Sequence, residues 1–142
     1  MESLNHTRWE CKYHVVFIPK YRKKVLYGEV RRYLGSIFKE LVKQKEGAIE
    51  EGHLMADHVH MLLSIPPKIA VCKVVGYLKG KSAIQIARKF GGKTRNFTGE
   101  SFWARGYYVS TVGKDEELVR EYIRTQEARD QEEEQMKLFG RK

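Results

Sequence analysis

The chain has 142 residues, 42% hydrophobic and 11% aromatic, with 27 Lys and Arg against 18 Asp and Glu for a formal net charge of +9. That length suits one domain with its own hydrophobic core, and the apolar content excludes an intrinsically disordered chain. Two cysteines, Cys11 and Cys72, exclude a disulfide framework and a cysteine-based zinc site, and no run approaches the roughly 18 apolar residues of a membrane span.

Residues Met1–His6 lack the apolar stretch of a signal peptide, so a soluble, cytoplasmic protein is expected. Residues 9–18 are aromatic and β-branched and are closed by Pro19, which predicts a strand. From Val30 the apolar positions Val30, Tyr33, Leu34, Ile37, Phe38, Leu41 and Val42 recur at steps of three and one, predicting an amphipathic helix ended near Gly47. Strands follow at 48–55 and 57–65, joined tightly at Ala56-Asp57 and stopped by Pro66-Pro67. Val71, Val74, Val75 and Leu78 open a second helix that runs to Phe90 and a Gly91-Gly92 break. A loop through Thr94–Glu100 leads to a fourth strand at 106–112, ended by Gly113. A third helix is predicted over 115–135, with Asp115 and Glu116 at its positive end and Leu118, Tyr122 and Ile123 as a short apolar stripe. The tail after Gln135 is expected to be loose.

The order β-α-β-β-α-β-α is an α+β pattern. Its first six elements match a ferredoxin-like split βαβ unit, a four-stranded antiparallel sheet with two helices on one face. One domain spans 1–142: a body over 1–113, an extra helix over 114–135 and a tail over 136–142. The extra helix must dock on the open sheet face or on a partner. Charge divides the same way, with 20 basic against 9 acidic residues in 1–113 (+11) and 7 against 9 in 114–142 (−2). A basic body points to a polyanion, most simply nucleic acid, although small basic domains that bind nothing specific are common.

Side chains alternate along a strand, so Val59, Met61, Leu63 and Ile65 form a floor for the helices. His58, His60, Leu62 and Ser64 are left on the other face. Histidines two apart on a strand can chelate one metal ion, but His-x-His also arises by chance and needs further ligands. Tyr122 and Gln126, four apart, lie one above the other on the last helix, where such residues are ordinarily core and rim. By alternation Asp57 points away from His58 and is read as a turn residue. His6, His14 and His53 have no partner at ligand spacing and are read as structural or incidental. Tyr107 and Tyr108 are read as core or DNA-stacking residues.

His58-Val59-His60, preceded by Ala56-Asp57 and followed by Met61-Leu62-Leu63, resembles the HUH motif of single-strand DNA transposases. Thr7-Arg8-Trp9, Lys12-Tyr13-His14-Val15-Val16-Phe17 and Pro19-Lys20-Tyr21-Arg22 look like that family's opening. Tyr77-Leu78-Lys79-Gly80-Lys81-Ser82, Phe102-Trp103, Arg105-Gly106-Tyr107-Tyr108-Val109 and Thr111-Val112-Gly113 look like its later blocks. Tyr122-Ile123 with Gln126 resembles its nucleophile helix. The likeness runs in order from about residue 6 to 130 and points to the single-tyrosine transposases of the insertion-sequence-200/605 family. The resemblance implies Tyr122 as a nucleophile forming a 5′-phosphotyrosine, and His58, His60 and Gln126 as ligands of Mg²⁺ or Mn²⁺. It also implies hairpin-bearing single-stranded DNA as substrate, a nucleoid-associated cytoplasmic protein, and a homodimer in which one subunit's tyrosine helix completes the partner's site.

Lys20, Arg22, Lys23 and Lys24 around Tyr21, Lys79 and Lys81 around Gly80, and Arg105 near Trp103 form a candidate DNA path. Gly113 is a candidate hinge for the tyrosine helix. A non-catalytic nucleic-acid-binding regulator on the same fold has no need of His58, His60, Tyr122 and Gln126 together. A metal-binding structural protein leaves the basic body unexplained.

Overall fold

The computed structural model describes residues 2–4, 7–90, 102–113 and 116–138. Glu2–Leu4 (β1) and Thr7–Trp9 (β2) pair antiparallel as a ribbon of their own. The main sheet is built from Lys12–Phe17 (β3), Ala48–Met55 (β4), His58–Ser64 (β5) and Tyr108–Val112 (β6), in the order β4-β5-β3-β6 with every neighbouring pair antiparallel. Helices Gly28–Gln44 (α1) and Val71–Phe90 (α2) connect β3 to β4 and β5 to β6, and Glu116–Leu138 (α3) follows β6. Counted from β3, the first and third strands are central, which is the expected split βαβ topology.

The core forms where the two helix stripes meet one face of the sheet. Leu34, Phe38, Leu41 and Val42 from α1 and Val74, Val75, Leu78, Ala83, Ile86 and Phe90 from α2 are buried against Val15, Phe17, Val59, Met61 and Leu63. These are the i, i+4, i+7 and i+8 positions of α1, positions at steps of one, three, five, three and four along α2, and the alternate positions of each strand, so periodicity sorts them inward. Trp103 closes one end of the core. Its ring meets Phe17 and Phe102 at 4.7 Å, and its indole N–H donates to Ser82 Oγ at 2.9 Å.

Several boundaries differ from the sequence expectation for local reasons. The strand predicted over 9–18 divides at Glu10-Cys11, with β2 before the break and β3 after it. At the end of α1 the left-handed residue is Glu46 (φ 62°), while Gly47 donates back to the Val42 carbonyl at 3.1 Å. Gly47 serves close approach instead: a Cβ there would stand 2.7 Å from the Ser64 carbonyl oxygen. The fourth strand starts at Tyr108, because the chain before it turns through Gly106 at φ +80°. Helix α3 continues to Leu138, past the predicted end at Gln135, since the residues 132–138 are all good helix formers. The expected loose tail therefore begins inside the helix, and residues 139–142 lie outside the described residues. So do His6, Gly91-Gly92, the Thr94–Glu100 loop and Asp115. Among the described residues, no helix is long and apolar enough to cross a membrane.

Candidate active site

Strand register determines which side chains share the sheet face away from α1 and α2. His60 of β5 lies opposite Val16 of β3 and His53 of β4, and His14 lies opposite Leu62. Registered partners point the same way, so His14, His53, His58 and His60 all belong to this face. The rings of His58 and His60 are 4.6 Å apart, and His14 stacks on His60 at 5.3 Å with 26° between the planes. Nδ1 of each central histidine is engaged: His58 Nδ1 donates to Asp57 Oδ1 at 2.6 Å, and His60 Nδ1 lies 3.1 Å from His14 Nε2. Asp57 Oδ2 accepts a second bond from Arg22 Nε at 3.1 Å.

Helix α3 covers part of this face, packing on β4 and β5. Its docking rests largely on ion pairs. Lys12 of β3 holds Glu116 at 2.7 Å. Arg120 reaches Glu116 at 2.9 Å, the Glu50 carbonyl at 3.2 Å and the Glu50 and Glu51 carboxylates at 3.5 Å. Arg124 forks onto Glu51 at 3.1 and 3.2 Å. The β4 register slips between Ile49 and Glu51, and this bulge turns two consecutive carboxylates toward the helix. The expected apolar stripe is reduced to Ile123, which is fully buried, as is Leu62 on the covered strand; Leu118 is 66% exposed.

The docked helix sets the Tyr122 ring 5.8 Å from the ring of His60, with Tyr122 still 51% exposed. One turn on, the Gln126 side-chain amide donates to the Tyr122 hydroxyl oxygen, while Gln126 Oε1 is buried and unpartnered. The four residues singled out for chemistry thus come together within one chain.

Burial, followed by the neighbouring His58, His14 and His53, pushes the His60 pKa from 6.5 down to about 3, so this imidazole is neutral at physiological pH. Burial also lowers His14. For Asp57, burial acts upward, but the hydrogen bond from His58 and the charges of His58 and Arg22 outweigh it and hold the carboxyl below its ordinary value. Among the described residues no three His, Cys, Asp or Glu side chains form a metal-binding group. A set of two imidazoles and the unpartnered Gln126 oxygen nonetheless fits a divalent cation. With no ligand charge it would hold such an ion weakly until an anionic substrate added oxygen donors.

The basic candidates separate into groups. Lys20 and Arg22 sit on a 3₁₀ turn, Lys20–Arg22, at the end of the sheet that carries His58. Tyr21 and Arg22 take left-handed φ of 61° and 51°, unusual strain for non-glycine residues, and Tyr21 is almost fully exposed. Lys23, Lys24 and Arg105 are exposed nearby on the chain segments flanking that end. Lys79 is taken up structurally: burial lowers its pKa, and its ammonium donates to the carbonyls of Ala104 at 2.7 Å and Gly106 at 2.8 Å. Lys81 is exposed on α2, 5.9 Å from the Tyr77 ring. Tyr107 and Tyr108 are exposed, not core, and Tyr108 meets the His14 ring edge-on at 5.9 Å.

Two sequence expectations are overturned by this geometry. Asp57 precedes β5 and so escapes strand alternation, which lets its carboxylate turn back onto His58. His14 is not incidental, since it touches His60 from 46 residues away. The signal for His14 was its shared parity with Lys12 and Val16 along β3, which becomes informative only once β3 is known to adjoin β5.

Residues 7–126 match the family model described as "Transposase IS200 like". The chain is 48% identical over 137 residues to the transposase for insertion sequence element IS200 of Salmonella typhimurium, a match covering 96% of this chain and 90% of that protein. It is 31% identical over 119 residues to the ISDra2 transposase TnpA of Deinococcus radiodurans, covering 83% and 85% respectively. A crystal structure from Deinococcus radiodurans R1 assigned to a transposase aligns with a TM-score of 0.72 at 29% identity, over 89% of this chain and 98% of that one. The structure of a REP-associated tyrosine transposase bound to a REP hairpin shares the fold, with a TM-score of 0.58 at 14% identity over 87% and 70% of the two chains. The chain therefore belongs to the IS200-like transposase family.

Proposed function

We propose that this transposase cleaves and rejoins single-stranded DNA at hairpin-bearing element ends, with Tyr122 as nucleophile and a divalent cation, Mg²⁺ or Mn²⁺, held by His58, His60 and Gln126. The observation that carries the reading is the convergence of the Tyr122 hydroxyl, the Gln126 amide and the His58–His60 pair on one sheet face. When bound, the cation would neutralise phosphate charge and polarise phosphorus.

The chain's own groups supply the rest. Tyr122 Oη attacks phosphorus, the bond to the 3′ oxygen breaks, the phenol loses its proton and the leaving oxygen gains one. The product is a 5′-phosphotyrosine and a free 3′-OH. Because the covalent bond keeps the energy of the phosphodiester, a 3′-OH can attack it in reverse and reseal a strand without a nucleotide cofactor. The Gln126 N–H donated to Tyr122 Oη fixes the position of the hydroxyl oxygen on the helix face. Half-exposure of Tyr122 leaves a side open for a strand to approach.

The turn of Lys20 and Arg22, with Lys23, Lys24 and Arg105, would neutralise phosphates beside the His58 end of the sheet, and Lys81 would extend the basic surface over α2. The hairpin bound by the REP-associated relative supports this choice of substrate on the shared fold. A homodimer with exchanged tyrosine helices is compatible with β6 being a sheet edge with exposed Tyr108 and Val109, next to the segment that leads into α3.

The test is to incubate the protein with hairpin-bearing single-stranded DNA and Mn²⁺ and to look for an adduct that survives denaturation. An adduct in the wild type and none in Tyr122→Phe is expected. An undiminished adduct in Tyr122→Phe would refute Tyr122 as the nucleophile, and no adduct with any element end would favour a non-catalytic DNA-binding regulator.

A further inference from the structure

We infer that Asp57 and His14 are positioning residues that select the Nδ1–H form of His58 and His60, so that both rings present an Nε2 lone pair to one divalent cation. The inference rests on the metal site proposed above and adds two residues to it. An ionised carboxylate only accepts, so the 2.6 Å contact with Asp57 requires the proton of neutral His58 to sit on Nδ1. Its Nε2 is then free to ligate.

For His60 the partner is another imidazole, and the single proton in the 3.1 Å contact can run either way. Were His14 to donate, neutral His60 would carry its own proton on Nε2 and could not bind a metal there. Ligation therefore requires His14 to accept through Nε2 and to keep its proton on Nδ1. The stacked arrangement, at 5.3 Å and 26°, holds the two rings in the register this exchange needs. A hydrogen-bond acceptor on the far ring nitrogen orients a ligating histidine and raises its basicity. Asp57 has a further task, since its other oxygen takes Arg22 Nε at 3.1 Å. The basic turn proposed to meet DNA is thus one carboxylate away from His58.

The experiment uses the full chain in two parts. Ring-¹⁵N chemical shifts of the metal-free protein at neutral pH report each histidine's tautomer. Titration with Mn²⁺ in the absence of DNA, followed by the electron paramagnetic resonance of the free ion, reports affinity. The wild type is expected to show Nδ1–H on both His58 and His60. His14→Phe, which keeps an aromatic ring but removes the acceptor, should move His60 toward Nε2–H and weaken Mn²⁺ binding roughly 10- to 100-fold. Asp57→Ala should do the same to His58. His14→Gln, which restores an acceptor oxygen, should recover both readouts, separating positioning from loss of fold. Nε2–H on His60 in the wild type, or tautomers and affinity unchanged in His14→Phe, would overturn the inference. Failure of the wild type to bind Mn²⁺ even when single-stranded DNA is added to supply phosphate oxygens would overturn the metal reading itself, independently of the tautomer spectra.

Discussion

Replacing Ile123 with alanine should loosen the tyrosine helix without loosening the core. Ile123 is the one fully buried side chain of α3 among the described residues, and it lies on the opposite side of the sheet from the cluster beneath α1 and α2. The substitution deletes three carbons. At about 0.8 kcal/mol per buried methylene this removes about 2.4 kcal/mol, and an unfilled cavity would raise the loss within the 2–5 kcal/mol range of such changes. The ion pairs of Lys12, Arg120 and Arg124 are untouched by the substitution, so they leave this difference unchanged. A loss of about 2.4 kcal/mol shifts the docked-to-undocked ratio roughly 50-fold, since every 1.4 kcal/mol is tenfold. Native-state hydrogen exchange measures this directly: amides around Tyr122 should exchange roughly 50-fold faster while those of β3 and β5 keep their protection. Unchanged protection in α3 would show that Ile123 is not the anchor. An equal loss in β3 and β5 would show that the helix is not a separately docking unit.

Three further outcomes follow from single contacts. The folded-state pKa of His60, about 3, lies below the usual 6.5, so the unfolded chain takes up the proton first. The associated stability is fully present above pH 6.5 and is lost as pH falls toward 3, by about 1.4 kcal/mol per pH unit, or roughly 2 kcal/mol between pH 6.5 and 5. Urea unfolding at the two pH values should show that much less pH dependence in His60→Gln, and an identical dependence would contradict the burial argument. Ser82→Ala strips the acceptor from the buried Trp103 N–H and should cost about 1–3 kcal/mol in chemical denaturation; a change below about 0.5 kcal/mol would mean the indole finds another partner. Gly47→Ala drives a Cβ to 2.7 Å from the Ser64 carbonyl oxygen and 3.2 Å from Val42 Cγ1, so a loss of about 1–3 kcal/mol is expected, and a wild-type denaturation midpoint would disprove the close approach.

What the sequence made legible was local. The steps of three and one from Val30 to Val42 placed the buried face of α1, and the alternation of Val59, Met61 and Leu63 placed the core side of β5, because each pattern is carried by one element. The His-Val-His triplet and the Tyr-Gln pair at helical spacing were readable for the same reason. The contacts that assemble these pieces were not. His14 meets His60 across 46 residues, Arg120 meets Glu50 across 70 and Lys12 meets Glu116 across 104. None has a periodic trace. The bulge that aims Glu50 and Glu51 at α3 looks in the sequence like an ordinary exposed acidic pair.

Charge shows the difference most clearly. Summed by segment, the body holds +11 and the tyrosine segment −2, which suggests a basic surface for DNA and an indifferent helix. In the folded chain that helix is fastened by charge. Arg120 and Arg124 face the carboxylates of β4, and Lys12, one of the positive charges credited to the body, is bound to Glu116. That hydrogen bond holds the Lys12 pKa above and the Glu116 pKa below their ordinary values, so both stay ionised in the contact. Lys79 is likewise committed to the carbonyls of Ala104 and Gly106. The positive charge left facing solvent near the histidines is therefore concentrated on the Lys20–Arg22 turn and its neighbours. There Arg22 already leans on Asp57, and through it on His58. Net charge pointed to the class of partner; the pairing of individual charges decides where on the molecule that partner meets the candidate site.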